Sequence, residues 1–382
     1  MNVKSYLKKY VNLDYFEFPY KKIKAKFLSL KFHLNAIKAT CRMPEIFICN
    51  KTSPYDKYFV SHALDGYYVF LKDEVVEKIY NNSYSENELK RLYESIETLR
   101  DFFISIVIFP ERHQTIFGNF SKTPQVMTDF IYSLKYNKIN FINLIGTFFI
   151  RPIWANKDRI CDTKLEKKFS IDNLKEIQIP NDEFNEYFNK YTPSSASTYS
   201  RKFPVYVKSN ELAKNAETIL YLCPNCKTYL NLYSEFSCIK CKECGSAFEF
   251  SENYEIALTN QFKNLDEAKS FQYAYLESIE KTEDKFITYN NIGFGAYDKN
   301  KFKIFTPSTL DIYQSKFIYK LGNDEFIINY EDIEDIFINY NNILHVKAKN
   351  SDQLYFQGLK NENFYILLDL IKIYTENKTS TN

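Results

Sequence analysis

The sequence predicts three parts in a row: a mixed α/β domain, a small cysteine-rich unit, and a compact β domain that ends in a helix. Short apolar runs first alternate with helical stretches, which is typical of a sheet covered by helices. Two CxxC pairs follow, and short alternating strands separated by polar turns then fill the last part of the chain. A chain of 382 residues is long enough for a core in each large part.

Charge and cysteine usage narrow the functional classes. The 50 Lys and Arg nearly balance the 48 Asp and Glu, so the overall charge does not favour nucleic acid or acidic substrates. No apolar run approaches the roughly 18 residues of a membrane span. Clustered CxxC pairs without a signal peptide indicate metal ligands in a reducing compartment. We therefore expect a cytoplasmic protein, soluble or peripheral on the inner face of the membrane.

Residues 1–38 form a basic amphipathic segment in which lysines alternate with aromatic and aliphatic side chains. Such a segment suits an anionic membrane surface, where each basic residue contributes about 1 kcal/mol. A solvated helix whose apolar face packs on the following domain would show the same pattern. Both interpretations stay open at this point.

The α/β domain with its connector is predicted to span residues 39–200. Its strands are continuous apolar runs, as expected for a sheet buried on both faces. Ser85 and Glu88 match a capping box at the start of a helix. The predicted strands are 46–49, 67–70, 104–109 and 140–149, and the predicted helices are 85–103 and 124–136.

The first of these strands ends in a polar turn, Asn50-Lys51-Thr52-Ser53-Pro54-Tyr55-Asp56. In α/β sheets, ligands bind at the carboxyl ends of strands. The turn resembles the first motif, Asn-His-x-x-x-x-Asp, of the glycerophosphate/lysophosphatidate acyltransferase family. Asn50 and Asp56 stand where the motif has them, and Lys51 stands where the family has its catalytic His.

Two later stretches extend the resemblance over about residues 40 to 160. Ile108-Phe109-Pro110-Glu111 is similar to the family's Phe-Pro-Glu-Gly motif, with Arg112 at the Gly and Gln114 at the family's Arg. The strand before Arg151-Pro152-Ile153-Trp154 is similar to the last motif. The resemblance implies transfer of an acyl group from acyl-CoA or acyl-carrier protein to a lysophospholipid hydroxyl.

The resemblance also implies roles for individual residues. The catalytic candidates are Asp56, Lys51 at the His position, and His113 as a relocated base. The substrate-binding candidates are Asn50, Glu111, Arg112 and Arg151. Lysine is a poor general base because its pKa of about 10.4 leaves it charged at pH 7, so we expect Lys51 to pair with Asp56 or to bind an anion.

Three functional hypotheses follow from these residues. The chain is a membrane-peripheral acyltransferase with altered activity, a catalytically inactive relative that binds lipid, membrane or protein, or a zinc-ribbon interaction module on a scaffold domain.

The cysteine-rich unit, residues 201–255, is predicted to be a zinc ribbon. Fourteen residues separate the pair Cys223 and Cys226 from the pair Cys241 and Cys244, close to the spacing of paired-CxxC zinc sites. Cys238 with Cys241 is an alternative second pair. Four thiolates leave no open coordination position, so the Zn²⁺ is expected to be structural. The loop between the pairs is not basic, and we expect no nucleic-acid binding.

Residues 256–284 are predicted to be a helical linker, with a helix at 265–283. Residues 285–377 are predicted to form seven short strands and one closing helix at about 361–374. This arrangement resembles a pleckstrin-homology or GRAM-type domain, a PH-like barrel with a C-terminal helix. The resemblance implies a membrane or protein partner for this domain.

Overall fold

The computed structural model describes residues 7–12, 19–36, 38–41, 43–113, 115–118, 122–172, 180–191, 205–251, 256–257, 262, 264–280, 282, 284–298, 301–339, 342–349, 351, 353–358 and 362–379. They fall into two compact units. The first comprises Met1–Ile150 with Arg159–Lys208, and the second comprises Arg151–Asp158 with Ser209–Asn382. The five segments predicted from the sequence are finer than this division, and their boundaries stay predictions.

The first unit is mixed α/β, as the alternating apolar runs predict. Its strands are β1 Val11–Asn12, β2 Leu34–Ala36, β3 Ala39–Cys41, β4 Ile46–Cys49, β5 Leu64–Gly66, β6 Tyr68–Leu71, β7 Ser105–Ile108, β8 Lys138–Ile145, β9 Ile160–Cys161, β10 Thr163–Asp172 and β11 Val207–Lys208. Its helices are α1 Pro19–Lys31, α2 Asp56–Ala63, α3 Asp73–Tyr80, α4 Glu86–Asp101, α5 Gln125–Ser133, α6 Thr147–Ile150 and α7 Asn181–Tyr191.

The main sheet of this unit has the order β1-β6-β7-β4-β8-β10-β2. Strands β6, β7, β4 and β8 are parallel, with Phe47 of β4 opposite Val107 on one side and Asn140 on the other. Every residue of β4, β6 and β7 is buried. This confirms a sheet covered on both faces, and it brings the carboxyl ends of four strands to one edge.

Helix α4 begins as the sequence predicts. The Ser85 hydroxyl accepts a hydrogen bond from the Glu88 N–H, and the Glu88 side chain accepts one from the Ser85 N–H. The helix buries Leu92, Ile96 and Leu99 in the core beside the sheet. It is shorter than predicted and ends at Asp101, because Phe103 takes a left-handed conformation with φ 57°.

The predicted strand 140–149 is wrong in its second half. Strand β8 ends at Ile145, and Thr147–Ile150 form the short helix α6. Between them Gly146 has φ +81°, and a Cβ added there would lie 2.5 Å from the Asp162 carbonyl oxygen. The apolar run continues through the turn because both the strand end and α6 are buried, so its hydrophobicity does not show where the strand stops.

Helix α1 packs one face against α2 and leaves the other face in solvent. Ala25 and Leu28 are buried, and so is Phe32 just after the helix. The opposite face exposes three large apolar side chains at helical spacing, namely Ile23 at 70%, Phe27 at 64% and Leu30 at 70%. The inward face agrees with the packed-helix interpretation, but the outward face is more apolar than a solvated helix requires.

The second unit begins with a small antiparallel sheet of order β12-β13-β14-β15, followed by a helix. The elements are β12 Leu232–Glu235, β13 Cys238–Cys241, β14 Ala247–Phe250, β15 Ile256–Ala257 and α8 Leu265–Glu277. Leu220, Leu222, Ile239, Phe248 and Phe271 line a common apolar space between the sheet and α8. The helix predicted at 265–283 is therefore real but shorter, and it packs on the cysteine-rich sheet.

The last part of the unit is a curled antiparallel half-barrel. Its strands follow the order β19-β18-β17-β16-β22-β21-β20, and helix α9 Tyr365–Thr379 packs against α8 and β20. The strands are β16 Ile287–Asp298, β17 Lys301–Ile312, β18 Lys316–Leu321, β19 Asp324–Asn329, β20 Ile333–Ile338, β21 Ile343–Ala348 and β22 Leu354–Gln357.

The strand prediction for this half-barrel reached seven by two compensating errors. Strand β16 was missed, because Asn291, Gly293 and Gly295 interrupt its apolar alternation. Two of the seven predicted strands had the ranges 303–305 and 309–313, and the structure shows them as one continuous strand, β17. Within the described ranges of both units, no helix is long and apolar enough to cross a bilayer.

Gly146 offers a direct test of the turn that ends β8. Replacing Gly146 by Ala should lower the free energy of unfolding by more than the roughly 1–3 kcal/mol of a strained backbone alone, because the new Cβ meets the Asp162 carbonyl. Gly322→Ala is the matched control, since Gly322 also has positive φ, +62°, but no heavy atom lies within 4 Å of the added Cβ. Urea denaturation measures both, and equal losses would contradict the close approach.

Candidate active site and candidate metal centre

Asn50 holds the end of β4 against β8. Its side-chain amide donates to the Leu144 carbonyl oxygen at 3.0 Å, and its oxygen accepts from the Leu144 N–H at 2.7 Å. The side chain is 3% exposed. Both polar groups of Asn50 thus bond to the backbone, which makes Asn50 a brace for the turn; its predicted substrate-binding role stays a prediction.

Three successive N–H groups of the turn point at two buried carboxylates. The Lys51 N–H donates to Glu111 Oε2 at 3.1 Å. The N–H groups of Thr52 and Ser53 both donate to Asp56 Oδ2, the second at 2.8 Å. The Thr52 hydroxyl also bonds to the Asp56 carboxylate and to the Thr147 hydroxyl. Two sequence motifs 60 residues apart therefore meet at this turn.

Burial sets the protonation of both carboxylates. Asp56 is 2% exposed, and burial raises its pKa to about 6 although Thr52 and Ser53 hydrogen-bond to it. Glu111 is 7% exposed, and burial raises its pKa to about 7 against the opposing effect of its own N–H, the Lys51 N–H and the Lys51 charge. Burial raises the pKa of the Cys49 thiol, and the negative charges of Asp56 and Glu111 raise it further.

The Lys51 side chain does not pair with Asp56, which corrects one of the two expectations for it. Its Nζ lies 3.5 Å from Asp73 Oδ1, and Lys57 Nζ lies 3.3 Å from Asp73 Oδ2. Burial alone would raise the pKa of Asp73, but the two lysines lower it. The prediction failed because the Asp56 carboxylate is taken up by the N–H groups of its own turn. Asp73 was not predicted to be a site residue. The sequence signal for it is its position at the start of a helix after an apolar strand.

The remaining predicted site residues lie in different places. Arg112 is half-buried, and its Nη2 lies 4.0 Å from Glu77 Oε1 of α3. His113 follows it in the same loop and is partly exposed. Gln114 lies outside the described residues. Arg151 belongs to the second unit and pairs there with Asp158 at 3.9 Å. The structure thus brings Asn50, Lys51, Asp56 and Glu111 to one edge of the sheet, and the catalytic and binding roles of all these residues stay predictions.

The second candidate site is a group of four cysteines. The sulfurs of Cys223, Cys226, Cys241 and Cys244 all lie within 4.8 Å of one another. Cys238 is not part of the group and pairs with Glu249 across the β13–β14 ladder. This agrees with the first of the two pairings considered from the sequence, and the four residues can hold a metal ion.

The sulfur distances test whether a tetrahedral ion fits. Cys223 Sγ lies 3.7 Å from Cys244 Sγ, and Cys226 Sγ lies 3.6 Å from Cys241 Sγ. Four sulfurs at about 2.3 Å from one ion would be separated by about 3.8 Å, so the spacing fits. Ser246 bonds to the exposed Cys244 thiol and lowers its pKa to about 5, whereas burial raises the pKa of Cys223 to about 12. A bound cation would favour the thiolate form of both.

Comparisons with known proteins return distant structural likeness only. No protein-family model matches the sequence, and no curated protein matches it. Among solved structures, the chain is similar to the 1-acyl-sn-glycerophosphate acyltransferase PlsC from Thermotoga maritima, with 12% identity and a TM-score of 0.35 over 48% of this chain and 78% of that one. It is also similar to the C-terminal domain of an unknown protein from Leishmania infantum, with 17% identity and a TM-score of 0.18 over 28% of this chain and 94% of that one. Likeness at these TM-scores carries no functional weight.

The cysteine group predicts a metal dependence that one substitution can isolate. Cys223→Ser should remove one of four ligands, lose stoichiometric metal and unfold at lower temperature, because the ion's binding free energy contributes to folding. Cys238→Ser should keep both the metal and the stability of the native chain. Elemental analysis and thermal unfolding measure these outcomes, and equal metal content in the two variants would contradict the assigned ligand set.

Proposed function

We propose that the first unit is a glycerolipid acyltransferase-like domain of the lysophosphatidate type. The observation that carries the proposal is the bond from the Lys51 N–H to Glu111, because it joins the turn 50–56 to the Pro110-Glu111 stretch. These are the first two of the stretches that resemble the acyltransferase motifs. Their meeting at the carboxyl edge of a parallel sheet supports a common site.

The charges beside this turn suit a phosphorylated acceptor. Lys51 and Lys57 share the single carboxylate of Asp73, which leaves a net positive charge next to the two buried acids. Arg112 adds a third cation, near Glu77 on the same helix α3. A phosphate oxygen of a lysophospholipid would compete favourably for these ammonium and guanidinium groups. The acyl donor would be acyl-CoA or acyl-carrier protein.

A second candidate function is favoured by the Lys51 ion pair itself. In the family the residue at this position is a histidine that accepts a proton, and deprotonating a lysine at pH 7 costs about 4–5 kcal/mol. In this structure the Lys51 ammonium is engaged by Asp73 at 3.5 Å. On this hypothesis the domain binds a lysophospholipid without transferring an acyl group, as an inactive member of the fold would.

An acyl-transfer assay separates the two candidates. The purified native chain is offered lysophosphatidate with acyl-CoA or with acyl-carrier protein, and phosphatidate formation is measured. The acyltransferase proposal expects product from the native chain, whereas the binding proposal expects product only after Lys51→His restores a base. Absence of product from both proteins, each folded and with lysophosphatidate present above its dissociation constant, would exclude the acyltransferase proposal.

The outward face of α1 supports a membrane-peripheral location. Ile23, Phe27 and Leu30 form a stripe in solvent, and the exposed side chains of Lys22 and Lys26 flank it. Apolar side chains that enter the acyl boundary while lysines meet anionic headgroups are the pattern of an interfacial helix. We propose that α1 lies on the membrane surface through this stripe.

Vesicle co-sedimentation tests the stripe. The triple substitution Ile23→Ser, Phe27→Ser and Leu30→Ser should weaken binding to vesicles of anionic phospholipid by about tenfold or more, because it removes the side chains that would enter the bilayer. Phe102→Ser, which alters a 68% exposed apolar residue elsewhere, should leave binding unchanged. Native-like binding of the triple variant would rule the stripe out as the contact.

For the second unit we propose a structural Zn²⁺ ribbon followed by a PH- or GRAM-like domain. The four thiolates at tetrahedral spacing support zinc, which prefers this ligand set. In the half-barrel, β16–β19 and β20–β22 form two antiparallel meanders. Pairing of β16 with β22 joins them into one sheet, and the helix α9 follows. The two lysines between the cysteine pairs are already engaged, Lys227 over the Phe271 ring and Lys240 with Glu235. They are therefore poorly placed to bind nucleic acid.

A further inference from the structure

We propose that Glu111 is the proton acceptor of the acyl transfer, in the role that the family gives to the histidine at position 51. This inference rests on the proposed acyltransferase function and names a different residue for its central step. The sequence resemblance gives Glu111 only a binding role. The reassignment comes from where the side chains around the turn lie.

The other three candidates at the turn already have partners. The Lys51 ammonium lies 3.5 Å from Asp73 Oδ1. The Asp56 carboxylate accepts from two backbone N–H groups and one hydroxyl, and these bonds hold the turn in shape. Asn50 cannot accept a proton at neutral pH, and its amide is bonded to Leu144.

Glu111 is positioned and still has acceptor capacity. An ionised carboxylate offers about four lone-pair sites. The backbone N–H groups of Lys51 and of Glu111 itself occupy two of them. The residue follows β7 after Phe109 and Pro110, at the carboxyl edge of the sheet, and retains 7% exposure, so it is nearly but not fully enclosed. A hydroxyl at this edge can reach a carboxylate that the backbone already orients.

The surroundings of Glu111 suit a base that works near neutral pH. Burial raises its pKa to about 7, with a smaller contribution in the same direction from Asp56 and an opposing one from Lys51. Cys49 of β4 and Tyr80 of α3 are the other titratable groups linked to this carboxylate, and Arg112 of the same loop acts on Tyr80. A base with a pKa near the working pH is both available and strong enough to contribute about 10²–10⁴-fold.

The proposed step balances without a further reactant. The acceptor hydroxyl oxygen attacks the thioester carbonyl carbon while the hydroxyl proton passes to the Glu111 carboxylate. The carbon–sulfur bond of the tetrahedral intermediate then breaks, and the leaving thiolate takes the proton from Glu111. The carboxylate is regenerated, an ester has formed, and a thiol is released.

The test is the pH profile of acyl transfer by Glu111→Gln, an isosteric change that removes the ionisable group. If Glu111 is the base, the variant loses at least about 100-fold in rate, and its residual rate no longer falls as the pH drops through about 7. Glu111→Asp keeps a carboxylate. This variant should retain part of the rate, and its rate should still fall as the pH drops. Glu94→Gln, on the exposed face of α4, should match the native profile.

The possible failures are distinguishable. Suppose that the native chain transfers acyl groups, and that Glu111→Gln keeps both the native rate and its decrease at low pH. The acyltransferase function would then be supported and the assignment of Glu111 as the base would be wrong. The assignment would also be wrong if His113→Ala, rather than Glu111→Gln, abolished this decrease. If neither the native chain nor Lys51→His forms product, the acyltransferase proposal fails first and the assignment fails with it.

A stability measurement checks the same carboxylate without using activity. The folded pKa lies above the unfolded value, so Glu111 contributes stability that is present at low pH and lost as the pH rises through about 7. The urea midpoint of the native chain should therefore fall relative to that of Glu111→Gln between about pH 4.5 and pH 8. If the two urea midpoints changed in parallel with pH, the pKa of Glu111 would be unshifted, and this result would overturn the assignment. Nearly native midpoints at low pH would also establish that the variant folds.

Discussion

The candidate site depends on how one short turn shares its backbone N–H groups. Lys51 donates to Glu111, and the next two residues donate to Asp56. The first bond joins the turn after β4 to the loop after β7, and the other two close the turn on itself. They stabilise the two buried carboxylates, since a buried acid without donors would cost several kcal/mol. The Asn50 bonds to Leu144 add β8 to the same junction. Loss of the acceptor at Glu111 would loosen the contact between the ends of β4 and β7, and loss of the Asp56 carboxylate would loosen the turn itself.

The same turn decides how the lysine at position 51 behaves. The backbone N–H of Lys51 helps to hold Glu111, while its ammonium lies on Asp73 together with Lys57. The positive charge of Lys51 is thus partly exposed, whereas the Glu111 carboxylate is buried. On the proposed function, a phosphorylated acceptor would place its anion near the lysines and its hydroxyl near Glu111.

The second unit is stabilised in a different way. Its cysteine-bearing sheet has four strands of two to four residues, too few to bury a large core of their own. Apolar contacts to α8 add buried surface to this sheet, and the four cysteines can hold a metal ion. A hydrogen bond from the Tyr221 hydroxyl to buried Asp369 connects the start of the cysteine-rich part to α9. Within the predicted helical linker, 256–284, helix α8 packs on the cysteine-bearing sheet.

The sequence alone determined the elements whose signal is local. The buried strands, the capping box of α4 and the cysteine spacing follow from periodicity and from ligand chemistry within a few residues. Only the tertiary structure decided where β8 stops, that β16 exists, and that Lys51 meets Asp73. Those outcomes depend on the Asp162 carbonyl near Gly146, on the ladder between β16 and β17, and on competition among donors for Asp56. Contacts between residues distant in the chain leave no local pattern in the sequence. The sequence therefore predicts the motifs but not which carboxylate each lysine contacts.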